Sequence, residues 1–187
     1  IDDIDNDGDL DILAFEPNGI TVYWYKNVSV EDGFGLDTLL YEVGDLCWGQ
    51  FEESGLSAEI LLAPSPSDCG AGLQGEQVFP KHAGSTLLTL DLDGDQDREL
   101  LLGDLFNKQL TMLLNGGTPG NAWMTEAETN FPAYDQPVNI SVFNASYSVD
   151  VDHDGLKDLI AAPNAQGGNE DIACNWLYRN TGSADQP

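Results

Sequence analysis

A nine-residue acidic motif that occurs three times constrains this chain more than any other feature. Residues 3–11 read DIDNDGDLD, residues 91–99 read DLDGDQDRE and residues 150–158 read DVDHDGLKD. The first copy sets Asp3, Asp5, Asp7 and Asp11 at positions one, three, five and nine, with Gly8 at six. The third sets Asp150, Asp152, Asp154 and Asp158 at the same positions, with Gly155 at six. The second has Asp91, Asp93, Asp95 and Glu99, but Gln96 stands at six and a glycine, Gly94, comes two residues early. Carboxylates this close repel one another unless a cation lies between them. Alternate oxygens around a tight turn are the ligand set of a hard ion such as Ca²⁺, which takes about six to eight oxygens. A solvated acidic turn competes with that reading for any one copy; three copies at one spacing favour the ion. The displaced glycine predicts that the middle copy either binds more weakly or turns along a different path, because glycine is the residue suited to positive φ.

The flanks decide what the loops join. An EF-hand needs a bidentate Glu at position twelve between two helices; that position holds Ala14, Leu102 and Ala161. After the loops come DILAF, ELLLG and DLIAA, and before two of them STLLTL and ASYSV. Short apolar and β-branched runs between turn residues read as strands. A further strand recurs as TVYWYKN, LTMLLN and NWLYRN, each ending in Asn. The loop starts lie 88 and 59 residues apart, which fits a unit near sixty residues with one expanded copy. The repeats fall at about 1–83, 84–143 and 144–187, the first carrying a long insertion at 28–84. Such all-β units cannot bury their faces alone, and packing them radially as propeller blades solves this. The expected fold is all-β, a partial β-propeller of about three blades forming one domain over residues 1–187. An acidic solenoid ranks behind it, because calcium-binding β-helix repeats are far shorter.

The chain resembles the FG-GAP/VCBS repeat family, whose blades also build integrin α-subunit propellers. The resemblance rests on DIDNDGDLDI, DLDGDQDREL and DVDHDGLKDL and covers residues 1–27, 85–117 and 145–183. It implies two to three Ca²⁺ ions held between the first two strands of each blade. By position the side-chain ligands are Asp3, Asp5, Asp7 and Asp11; Asp91, Asp93, Asp95 and Glu99; and Asp150, Asp152, Asp154 and Asp158. The resemblance adds backbone carbonyls at position seven, from Asp9, Asp97 and Leu156. Gln96 departs from the family pattern. The strands and the Asn180 turn are also similar in style to secreted bacterial proteins.

Three units are too few to close a propeller, so the chain reads as part of a longer protein. Its net charge of −27 would still be −21 with three Ca²⁺ bound. That field repels nucleic acid and anionic membranes, and no run reaches the ~20 apolar residues of a membrane span. Cys47 and Cys69 both lie in the insertion and are expected to be bridged, which suits an oxidising, extracellular home. Cys174 is expected in a buried strand. The sequons at Asn27, Asn139 and Asn144 read as chance matches. His153 is expected to point away from its loop, and His82 near Ser85 carries no nucleophile signature. Acidic residues are too abundant for any pair to count as catalytic, so no enzyme is expected. Trp24, Trp48, Trp123 and Trp176 either pack between sheets, the favoured reading, or stack on sugars. The expected role is binding, adhesion or scaffolding toward a protein or glycan at the cell surface. The alternative is a carbohydrate-binding propeller or the propeller part of a polysaccharide-degrading enzyme.

Overall fold

The acidic motifs each close a strand connection in the same register. Leu90 pairs with Glu99 and Val149 with Asp158 across the second and third loops, and an isolated bridge pairs Asp2 with Asp11 across the first. The computed structural model describes residues 1–187 apart from 36, 55–56, 70–84, 142, 165–173 and 183–187. His82 therefore lies outside the described residues.

The described residues contain no helix and twelve strands in four antiparallel sheets, none closed on itself. The first sheet holds β1 (Ile12–Phe15), β2 (Val22–Asn27) and β3 (Tyr41–Asp45) in that order. A two-stranded ribbon pairs β4 (Phe51–Glu53) with β5 (Ile60–Leu62). The third sheet runs β6 (Thr86–Leu90), β7 (Glu99–Gly103), β8 (Leu110–Asn115) and β9 (Met124–Phe131). The fourth holds β10 (Asn144–Val149), β11 (Asp158–Pro163) and β12 (Trp176–Tyr178). Neighbouring strands follow one another in the chain, so every sheet is a simple meander.

Two cores flank the four-stranded sheet. Leu100, Leu102 and Leu113 pack with Val22, Trp24, Trp48, Phe51 and Met124 on one side. Leu101, Leu110 and Met112 pack with Phe131, Val138, Leu159 and Tyr178 on the other. Successive side chains of a strand face opposite ways, so β7 is buried along its whole length. This explains its unbroken run of leucines, which reads as a strand covered on both faces rather than one. Full burial of each leucine stabilises by roughly 1.5–3 kcal/mol. Gly103 lets β7 approach the next sheet: a Cβ there would lie 2.0 Å from the Asn144 carbonyl oxygen. Thr86 Oγ1 donates to that same oxygen at 2.9 Å.

The segment 28–84 is only partly an insertion. Its residues 41–45 form β3 and extend the first sheet, with Asn27 opposite Tyr41 and Lys26 opposite Glu42. Its residues 47–51 contribute Trp48 and Phe51 to the first core. The Met124 amide donates to the Gly49 carbonyl at 2.8 Å, and Trp123 Nε1 donates to the Ala63 carbonyl at 3.0 Å, tying the segment to β9. Cys47 and Cys69 are disulfide-bonded, with Cα atoms 6.0 Å apart. Cys174, expected in a buried strand, is instead half-buried and lies two residues before β12.

Candidate metal centre

The loop backbone is set by the Asp side chains themselves. At position seven the amides of Asp9, Asp97 and Leu156 donate to the fifth-position carboxylates of Asp7, Asp95 and Asp154, at 3.2, 2.9 and 2.9 Å. The sixth-position amides of Gly8 and Gly155 donate to the first-position carboxylates of Asp3 and Asp150, at 3.2 and 3.1 Å. The bonds to the fifth-position carboxylates are Asx turns, in which a short carboxylate imitates a backbone acceptor; those to the first position span five residues and close the loop. They curl each chain segment around the remaining oxygens.

The middle loop turns as the others do, so of the two outcomes expected for it the different path does not hold. Positions four and six both take positive φ in every copy. They are Asn6 (60°) and Gly8 (97°), Gly94 (83°) and Gln96 (78°), and His153 (62°) and Gly155 (93°). The glycine has exchanged places with the other left-handed position, and Gln96 bears the conformation glycine holds elsewhere. His153 is exposed, as expected for position four.

The carboxylates converge as the spacing requires, but not all of them. Oxygens of Asp3, Asp5 and Asp7 lie within 4.8 Å of one another, as do those of Asp91, Asp93 and Glu99, and those of Asp150, Asp152 and Asp158. Two oxygens each about 2.3–2.6 Å from one Ca²⁺ can be no more than about 5 Å apart, so all three groups fit the ion. Asp11, Asp95 and Asp154 stand outside these groups. Several converging oxygens are buried without any hydrogen-bond donor: Asp5 Oδ1, Glu99 Oε1 and Asp150 Oδ1. An unpaired buried carboxylate oxygen is costly, and a metal cation would partner the oxygens that no side chain or amide reaches.

Position nine has a structural role. Asp11 Oδ1 accepts the Asn27 amide at 2.7 Å and Oδ2 accepts the Ile4 amide at 3.2 Å. Asp158 accepts from the amides of Asn180 and Val151 at 2.8 and 2.9 Å. Glu99 accepts from the Leu92 amide at 2.7 Å. The residue thus braces the loop against the Asn that ends the next strand. Burial pushes the Asp11 carboxyl up to about 6 against these bonds, and burial raises Glu99 to about 7. Asp158 is held below its usual value by its two backbone bonds.

Two basic residues that the spacing argument overlooks belong to the site. Lys26 Nζ contacts the carboxylates of Asp5, Asp7 (3.1 Å) and Glu31 (2.7 Å). Burial opposes its charge, but bonds to Asp5, Glu31 and Asp7 outweigh burial and raise its pKa. Arg179 reaches Asp152 and Asp154 in the third loop. Both precede the Asn that ends the strand, in YKN and YRN; the middle copy has Leu114 there. That recurrence, in a chain with six Lys and Arg in total, is the signal that could have found them. The first two loops are also joined: Arg98 Nη2 donates to the Asp3 carbonyl at 3.1 Å, and Asn6 Nδ2 to the Gln96 carbonyl at 2.6 Å.

At position seven Asp9 and Asp97 are buried, whereas Leu156 turns its side chain to solvent and can offer an ion only its carbonyl. The aromatic residues pack rather than stand free. Trp24 and Trp48 are in the first core, Trp123 is bonded to Ala63, and Trp176 stacks on Tyr178 with centroids 6.4 Å apart. Asn27 and Asn144 are buried, so neither sequon offers an accessible amide; Asn139 is exposed.

The fold and site define a class: an all-β meander whose strand connections carry acidic clusters fit to hold metal ions. Comparison with protein-family models, with curated proteins and with solved structures finds no match to the chain.

Proposed function

We propose that this chain is a calcium-stabilised β-propeller segment of the FG-GAP/VCBS kind, acting as a binding, adhesion or scaffolding module of a secreted or cell-surface protein. The observation that carries the reading is the set of buried carboxylate oxygens, without donors, that converge in each of the three loops. Side-by-side meander sheets with a core on each side of the central one support the arrangement of blades. The Cys47–Cys69 disulfide supports an oxidising, extracellular setting. Calcium would neutralise the clusters and fix the loop ends of the sheets, leaving the strongly anionic surface for a partner protein or glycan. That all four Trp are buried or half-buried in packing contacts weighs against a sugar-stacking platform, so the carbohydrate-binding alternative takes second place.

The test is thermal unfolding in chelator, calcium and magnesium. Calcium bound only to the folded state stabilises by about 2.7 kcal/mol per site at a hundredfold excess over Kd. Magnesium should restore little, since it demands tight octahedral geometry and sheds water reluctantly. A melting curve indifferent to calcium refutes the reading. A glycan array separates the two partner classes.

A further inference from the structure

The first loop carries a second acidic group that the nine-residue spacing does not account for. Oxygens of Asp7, Asp9 and Glu31 lie within 4.8 Å of one another. Asp9 is 4% exposed, and neither of its carboxylate oxygens makes a hydrogen bond of ordinary geometry; the Val30 backbone interacts with it only enough to offset part of the effect of burial. The Asp9 side chain lies apart from the Asp3–Asp5–Asp7 group, where position seven would act only through its carbonyl. Glu31 comes from the next connection. A turn places it there, with the Asp32 amide donating to the Val28 carbonyl at 3.0 Å and the Phe34 amide to the Ser29 carbonyl at 2.8 Å. Ser29 is buried and donates to Asn27 Oδ1 at 2.5 Å, which ties the turn to the end of β2.

Lys26 is the resident cation beside this group, but its contacts go to Asp5, Asp7 and Glu31, and neither Asp9 oxygen gains a charged partner. Charge leads to the same place. Six carboxylates gather around this loop: Asp3, Asp5, Asp7, Asp9, Asp11 and Glu31. Lys26 and one divalent ion leave three negative charges; a second divalent ion leaves one.

We propose that Asp7, Asp9 and Glu31 form a second divalent-cation site next to that of the first loop, with the Asp7 carboxylate shared between the two. The proposal rests on the reading that loop 3–11 binds calcium, and extends it to a paired centre. All-oxygen ligation by carboxylates selects a hard cation such as Ca²⁺. Asp7 and Asp9 are the enclosed arms. Glu31, whose side chain is 40% exposed, is the arm on the solvent side and marks the entry path. Among the described residues this second group occurs in this loop alone. Leu156 replaces Asp9 in the third loop, and Pro119 and Ala184 stand where Glu31 would be relative to Asn115 and Asn180. Lys26 lies between the paired sites and competes with the second ion for Asp7 and Glu31.

The test is calcium stoichiometry by equilibrium dialysis of the full chain against Glu31→Gln, Asp9→Asn and Asp152→Ala. Asp9→Asn keeps the backbone carbonyl, and Glu31 lies in a solvent-facing turn, so its variant folds. Glu31→Gln and Asp9→Asn should each lose one bound ion per chain, at a calcium concentration that saturates the parent. Lys26→Met should keep the count and tighten that ion. If Glu31→Gln binds as many ions as the parent while Asp152→Ala loses one, the second site is overturned and the loop sites stand. If the parent binds no calcium, both readings fall together.

Discussion

Replacing Asp11 by Ala separates the two roles of the ninth loop position. Asp11 is fully buried and stands outside the converging group of its own loop. Its carboxylate accepts two backbone amides, at 2.7 and 3.2 Å, from residues that are themselves buried. A hydrogen bond to a charged group contributes roughly 1.5–3 kcal/mol. The longer bond belongs at the low end, and the burial that pushes Asp11 up to about 6 offsets part of the gain. The loss should be about 3 kcal/mol, and it should be present in chelator, because neither bond involves an ion. At about 2–4 °C per kcal/mol for a chain of this size, the melting temperature should fall by ~6–12 °C. Asp152→Ala is the control. Among the described residues its cation partner is Arg179, which is 64% exposed, and exposed pairs contribute about 0–1 kcal/mol. In chelator it should move the melting point by no more than ~4 °C, and in calcium it should fall with the loss of a ligand. Differential scanning calorimetry in both buffers reads all four values. An Asp11→Ala protein that melts with the parent in chelator refutes the brace and leaves position nine as a ligand only.

Gln96→Gly should stabilise the chain. Relief of the left-handed strain at φ 78°, about 1–2 kcal/mol, exceeds glycine's entropic cost of about 0.5–1 kcal/mol, so denaturant midpoints should rise while Gly94→Ala lowers them. Glu53 is raised by burial and by Asp104 to about 8, above its unfolded 4.5, so its protonated form stabilises the fold. That contribution is complete below about pH 4.5 and lost as pH rises through about 8; Glu53→Gln should flatten stability across this window in urea titrations. Reducing the Cys47–Cys69 bridge, which spans 22 residues, should cost about 3 kcal/mol, read as a lower unfolding midpoint with a thiol reductant.

The strand–loop–strand register was legible because the acidic spacing and the apolar runs are both local. STLLTL and ELLLG could be paired across their loop from sequence, and they are. The strands β3 and β4 were not legible, for opposite reasons. In β3, Val43 is 55% exposed, so YEVGD lacks the apolar alternation that announces a strand. In β4, Glu52 and Glu53 are buried, so FEE reads as surface. The convergence of Asp3, Asp5 and Asp7 followed from spacing alone. Lys26 and Glu31 did not, because their places depend on how β2 and the following turn fold back over the loop. Gln96 shows the converse limit. A missing glycine at position six suggested a changed turn, while the backbone requirement was shared between two positions and a glycine at either serves.

The strand β7 belongs to two cores at once, with Leu100 and Leu102 in one and Leu101 in the other. A wall common to two rooms cannot be taken down from one side. Opening β7 to solvent requires both neighbouring sheets to separate from it, so its amides should be among the last to exchange with deuterium, at a free energy close to that of global unfolding. The same wall carries Glu99 at one end, in the middle acidic loop, and Gly103 at the other, against Asn144. Disturbance at either end is therefore transmitted to the whole described structure as a single cooperative unit rather than confined to one sheet.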